Sequence, residues 1–216
     1  ATYRHNTLGL RNSAIARILY YTDLYKKIVN TPGVICEFGV QYGATLNLLL
    51  NLRSIFEPYN RSRIVYGFDT FEGFPSTELE DGQFCNKGDY SVPLGYEKQL
   101  ERLLALQESF APMNEVKKFQ LIKGNATNTI DTWLESNPHA IISMAIFDMD
   151  IYQPTKDCLS KIIPRLTKGS LLVFDELNCD VFPGETLAVN EVLGLNNLRL
   201  QKSPFQPYGA WAIFGE

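Results

Sequence analysis

Histidine is almost missing from this chain of 216 residues, which carries two, and cysteine is sparse, with four. His5 falls in the N-terminal tail and His139 in a Pro-His turn before an apolar run, so neither reads as a catalytic base. Cys36, Cys85, Cys158 and Cys179 are far apart and form no C-x-x-C pair, which argues against a thiol redox centre or a zinc ribbon and for reduced thiols. No apolar run reaches the length that spans a bilayer. No charged-then-apolar leader opens the chain, and Ala1 in place of Met reads as a trimmed start. A cytoplasmic protein without a membrane partner is expected. Basic clusters are also lacking. The net charge is −4 and the nearest thing to a basic run is Lys117-Lys118. A nucleic-acid partner is therefore not expected, since counterion release needs clustered Lys and Arg. With 45% hydrophobic and 20% charged residues, the chain fits one globular domain over 1–216.

What is present is alternation. Apolar periodicity predicts a helix over 12–29, with Ile15, Ile18, Leu19, Thr22, Tyr25, Ile28 and Val29 on one face, so that 1–30 forms an N-terminal helical segment. Strands are expected at Val34–Phe38, Arg63–Phe68, Phe119–Ile122, Ile141–Phe147 and Ser170–Phe174. Helices are expected over 44–54, 127–135, from Pro154 onward, and over 185–193. Two last runs, Leu198–Lys202 and Ala210–Phe214, read as a terminal hairpin. Repeated strand–helix units imply a mostly parallel α/β sheet with helices on both faces, and ligands bind beyond the carboxyl ends of such strands. Polar residues stand at those ends: Glu37, Asp69, Asn125, Asp148 and Asp175.

The first strand runs into Glu37-Phe38-Gly39-Val40-Gln41-Tyr42-Gly43. This lacks the G-x-G-x-x-G that cradles a pyrophosphate. It suits a phosphate-free ligand such as S-adenosylmethionine, whose ammonium and sulfonium favour a nearby carboxylate. Alternatively the glycines serve only helix–strand packing. Asp69 can accept from ribose hydroxyls or cap a turn, and Asn125 can meet an adenine edge or cap a helix. The expected cofactor contacts are Glu37, Phe38, Gly39, Gly43, Asp69, Thr70, Asn125 and Asp148.

The fourth and fifth strands deliver Asp148-Met149-Asp150 and Asp175-Glu176. Four carboxylates on neighbouring strand tips repel one another, and hard oxygen donors of this kind suit Mg²⁺, Mn²⁺ or Ca²⁺. The plain alternative is solvated strand-end acids. Asp148, Asp175 and Glu176 are the candidate metal ligands and Asp150 the candidate base toward a hydroxyl. A metal-dependent glycosyltransferase, holding a nucleotide-sugar through D-x-D, is the rival reading.

These strings resemble a known family. E-F-G-V-x-x-G, then Phe68-Asp69-Thr70-Phe71-Glu72-Gly73-Phe74-Pro75, then Gly88-Asp89-Tyr90-Ser91, then Asp148-x-Asp150-x-Tyr152 with Thr155, look like the macrocin-type sugar O-methyltransferases. The likeness runs from about residue 30 to 180. It implies a Rossmann-like class I methyltransferase sheet of seven strands, the last antiparallel. It implies S-adenosylmethionine as cofactor, Mg²⁺ on Asp148 and the paired acids after the fifth strand, and Asp150 as base. It also implies a small-molecule acceptor with a sugar hydroxyl, a mobile lid over 76–96, and a homo-oligomer. One departure is Glu176 where the family commonly has a second aspartate; Asn178 is the fallback ligand. The acceptor's identity does not carry over.

Overall fold

A computed structural model describes residues 9–216, so His5 lies outside the described residues. The elements in chain order are α1 (Asn12–Ile28), β1 (Val34–Phe38), α2 (Ala44–Phe56), β2 (Val65–Asp69), α3 (Tyr96–Ser109), β3 (Phe119–Lys123) and α4 (Ala126–Ser136). They continue with β4 (Ile142–Phe147), α5 (Tyr152–Ile162), β5 (Leu166–Phe174), α6 (Pro183–Leu193), β6 (Gln201–Lys202) and β7 (Ala210–Ile213). The sheet order is β3-β2-β1-β4-β5-β7-β6. Strands β1 to β5 pair in parallel, and β7 runs antiparallel between β5 and β6. The terminal hairpin is therefore built into the sheet, with its second strand as the inner one.

Period-two alternation divides the core. Ile35, Val65, Met144, Ile146, Leu171 and Val173 face the layer of α1, α2 and α3. Cys36, Phe38, Phe68, Phe147, Leu172 and Phe174 face α4, α5 and α6. At the carboxyl ends four rings stack across four strands: Phe68 on Phe38 at 4.8 Å, Phe38 on Phe147 at 5.2 Å, and Phe147 on Phe174 at 5.5 Å. Each such pair adds about 0.5–1.5 kcal/mol beyond area burial, so this end of the sheet is a stiff platform. All four cysteines are buried and unpaired. Among the described residues no helix is long and apolar enough to cross a membrane.

Two differences from the sequence reading stand out. Helix α1 buries Tyr20, Tyr21, Leu24, Tyr25 and Ile28, while Ile15 and Leu19 are exposed. Three tyrosine rings carry more area to bury than two aliphatic chains, and they set the helix rotation. Helix α3 was not anticipated in the segment between β2 and β3. Its signal is Leu100 and Leu104, four residues apart, both buried against α2.

Candidate functional site

A cleft of about 920 Å³, counting its open mouth, lies over the carboxyl ends of β1, β2, β3 and β4. It is lined by Glu37, Gly39, Gln41, Asp69, Asn125 and Ala126 and by Phe74, Pro75, Tyr90, Asp150, Ile151 and Pro154. Arg17, Thr45, Thr70 and Asp148 also line it.

The floor follows from backbone geometry. Gly39 has φ +90, and a Cβ there would overlap the carbonyl oxygen of Asp148, so only glycine lets β1 turn beside β4. Asp69 fixes the turn that follows. Its Oδ2 accepts from the amides of Val40 (2.6 Å) and Gln41 (2.7 Å), and its Oδ1 from that of Phe71 (2.5 Å). Of the two roles open to Asp69, the structure displays the turn-binding one, on a residue that also faces the cleft. Thr70 closes its own turn by donating to the carbonyl of Gly73 (2.7 Å). Asn125 caps α4, accepting from the amide of Thr127 (3.1 Å), and still lines the cleft.

Two expected cofactor contacts are not brought to the cleft. Phe38 is fully buried between Phe68 and Phe147. Gly43, at φ +76, gives room to the Leu100 side chain, so it serves packing of α2 on α3. Glu37 is 1% exposed, and its Oε2 has no hydrogen-bond partner. Burial pushes its carboxyl well above the ordinary range, Asp148 adds to this, and Arg17 opposes it.

The acidic groups are close enough to disturb one another. Burial, then Asp175 and Asp150, raise Asp148. Asp150 is 9% exposed, sits at φ +61, and is pushed up to about 7 by burial, then by Glu176 and Asp175. A non-glycine residue at positive φ is strained, and such strain gathers at functional sites. Gln41, Phe71 and Tyr90 share that conformation around the same cleft.

The sequence reading had Asp148, Asp175 and Glu176 converge on one dication. The structure does not bring them together so: among the described residues no three Asp, Glu, His or Cys side chains are placed to hold a metal ion, and Asp175 and Glu176 do not line the cleft. Instead a guanidinium stands by, with Arg17 Nη2 3.7 Å from Asp148 Oδ2. His139 is exposed in the turn before β4, at the far end of the sheet.

Sequence reasoning missed two residues here. Arg17 on α1 gave no signal, because a lone arginine on an amphipathic helix reads as solvated. Glu185 reads as an ordinary acid in a helix's first turn, yet it is fully buried. Its Oε1 accepts from the amide of Glu176 (3.0 Å), and its Oε2 has no partner. Burial holds it well above the ordinary carboxylate range, with Asp150, Asp175 and Asp148 adding. A raised folded-state pKa gives stability that is full below the unfolded value and lost as pH rises. Glu185→Gln, which keeps the acceptor for Glu176, should therefore melt several degrees higher than the native chain near pH 8. The gain should shrink toward pH 4, and a melting series in pH checks it.

The 76–96 insertion, expected to be a mobile lid, packs beside the start of α5 and α6. Asp81 Oδ1 accepts from the amide of Tyr152 at the start of α5 (2.5 Å), and Gly184 admits that carboxylate at close quarters. Phe74, Cys85 and Ile151 form a small core beside Phe182.

The macrocin-O-methyltransferase (TylF) family matches residues 16–198. The crystal structure of CalS11, calicheamicin methyltransferase, superposes with a TM-score of 0.95 at 37% identity, covering 100% of this chain and 85% of that one. The structure of the O-methyltransferase NovP gives 0.65 at 19% identity over 92% of this chain and 79% of that one, a likeness of fold alone. A curated relative is the 8-demethyl-8-(2,3-dimethoxy-alpha-L-rhamnosyl)-tetracenomycin-C 4'-O-methyltransferase of Streptomyces olivaceus. It is 25% identical over 157 residues, which are 69% of this chain and 54% of the relative. The chain thus spans about half the length of that curated relative.

Proposed function

Given that the chain belongs to the macrocin O-methyltransferase family, we propose that it moves the methyl group of S-adenosylmethionine to a hydroxyl of a sugar-bearing small molecule. One observation carries this reading: a single cleft joins the Gly39 turn, beside the unpartnered Oε2 of Glu37, to the nearly buried Asp150. The cofactor fits the Gly39 turn. Glu37 can hold its ammonium, the Gly39 turn admits close approach, and Phe68 and Ala126 offer apolar surface to the adenine.

When bound, the cofactor supplies an electrophilic methyl whose carbon–sulfur bond breaks as the new carbon–oxygen bond forms. The chain's own work is to align the acceptor and take its proton. Asp150 is suited to that, because a base with a pKa near the working pH is both available and strong enough. Phe74, Tyr90 and Ile151 around it offer apolar surface to a ring and exclude water from the proton transfer. Asp148, Asp175 and Glu176 do not form a shared ligand set in this arrangement.

Sugars are the acceptor class that the relatives support. A second CalS11 structure, 35% identical with a TM-score of 0.87, is described as a TDP-rhamnose 3'-O-methyltransferase. Incubation with TDP-rhamnose and methyl-labelled S-adenosylmethionine is expected to give a methylated sugar nucleotide. Calorimetry that finds tight binding of nucleotide-sugars and none of S-adenosylmethionine would return the chain to the glycosyltransferase reading.

A further inference from the structure

The cofactor's amino-acid end is a zwitterion, and the cleft offers partners for both of its charges. Glu37 supplies the negative one, giving up its proton as the ammonium settles against a buried Oε2 that no protein group satisfies. The positive partner is less obvious. In the turn after β1 the amides of Val40 and Gln41 are spent on Asp69, and that of Gly43 on the carbonyl of Val40 (2.7 Å). Two further groups that favour an anion face the same cleft. Helix α2 begins without a side-chain cap, at Ala44 and Thr45, which both line the cleft. Arg17 is the one Lys or Arg among the described residues lining the cleft, and its guanidinium is held at that helix start by hydrogen bonds from Nε (3.2 Å) and Nη2 to Thr45 Oγ1. Stacking on Tyr21, 5.2 Å from the ring centre, fixes its orientation.

We propose that Arg17, with the uncapped start of α2, binds the α-carboxylate of the cofactor while Glu37 takes the α-ammonium. Helix starts and guanidinium groups both favour anions, and a carboxylate matches the planar fork of arginine. The 3.7 Å approach of Arg17 to Asp148 is too long for a hydrogen bond, so the guanidinium is available to a better-placed carboxylate. Helix α1 then belongs to the cofactor site through Arg17. This assignment rests on the methyltransferase reading and adds to it a residue from outside the sheet's own motifs.

Three ligands separate the two claims: S-adenosylmethionine, S-adenosylhomocysteine, and decarboxylated S-adenosylmethionine, which keeps the sulfonium and amine but lacks the carboxylate. By calorimetry, Arg17→Met should weaken the two carboxylate-bearing ligands by about 10- to 100-fold, the worth of a charge-assisted hydrogen bond. It should leave the decarboxylated compound almost unchanged. Arg17→Lys should recover part of the loss, because the charge returns without the fork. Equal weakening of all three ligands, or of none, in a variant that melts like the native chain overturns the clamp alone. A native chain that binds neither S-adenosylmethionine nor S-adenosylhomocysteine overturns the clamp together with the cofactor reading.

Discussion

Asp150→Asn is expected to lower kcat by about 10²-fold or more, the usual worth of a positioned general base. The dissociation constant for S-adenosylmethionine should barely move, since the groups proposed to hold the cofactor, Glu37 and the Gly39 turn, are left intact. Asparagine has nearly the same shape and tolerates φ +61 better than most residues, so the backbone there should persist. Proton acceptance is what is removed. The sign of the pH effect follows from the direction of the shift. Only the ionised carboxyl can accept a proton, so kcat/KM of the native chain should fall as pH drops through about 7. Above that value it should level off. In Asp150→Asn the acid limb should disappear along with most of the rate. Native-like turnover in this variant would remove Asp150 from the chemistry.

Arg63→Met should cost about 3–5 kcal/mol of stability, the penalty for leaving the other half of a buried ion pair uncompensated. Arg63 is 2% exposed and lies just before β2, at the amino end of the parallel strands. Its Nε and Nη2 donate to the two oxygens of Glu57 (2.8 and 3.0 Å), and Nη2 also to the carbonyl of Ile28 (3.0 Å). Its Nη1 donates to the carbonyl of Gly33 and to Ser143 Oγ, each at 2.6 Å. One side chain thus ties the end of α1, the turn before β1, the end of α2 and β4 together. Tyr25 donates to the same Glu57 Oε2 (2.7 Å). Urea unfolding is the measurement. Pairing Arg63→Met with Glu57→Leu should restore much of the loss, because no orphan charge then remains. A single-variant loss under about 1 kcal/mol would show that this hub is not what ties these elements together.

Strands β1, β2, β4 and β5 were visible because each is a short apolar run closed by an acid, and α2, α4 and α6 because apolar residues recur at helical spacing. Helix α3 escaped because the segment around it is rich in Gly, Pro and polar residues. Its two buried leucines matter only once α2 is known to lie beside them. Asp150 could be named from its motif, but its shift to about 7 could not, because that depends on Glu176 and Asp175 from another strand and on burial by the surrounding loops.

The sequence by itself determined the alternation of strands and helices and the acids at the strand tips. Those are local properties: periods of two and of 3.6 are written in neighbouring residues, and so are glycine turns. Tertiary structure alone decided which of those groups share a cleft. The order β3-β2-β1-β4-β5-β7-β6 sets Glu37 next to Asp148 across more than a hundred residues of chain, and it brings Arg17 and Glu185 to the same acids. Whether a carboxylate is solvated, orphaned or paired depends on how many such distant groups arrive around it. That number is fixed only when the layers pack.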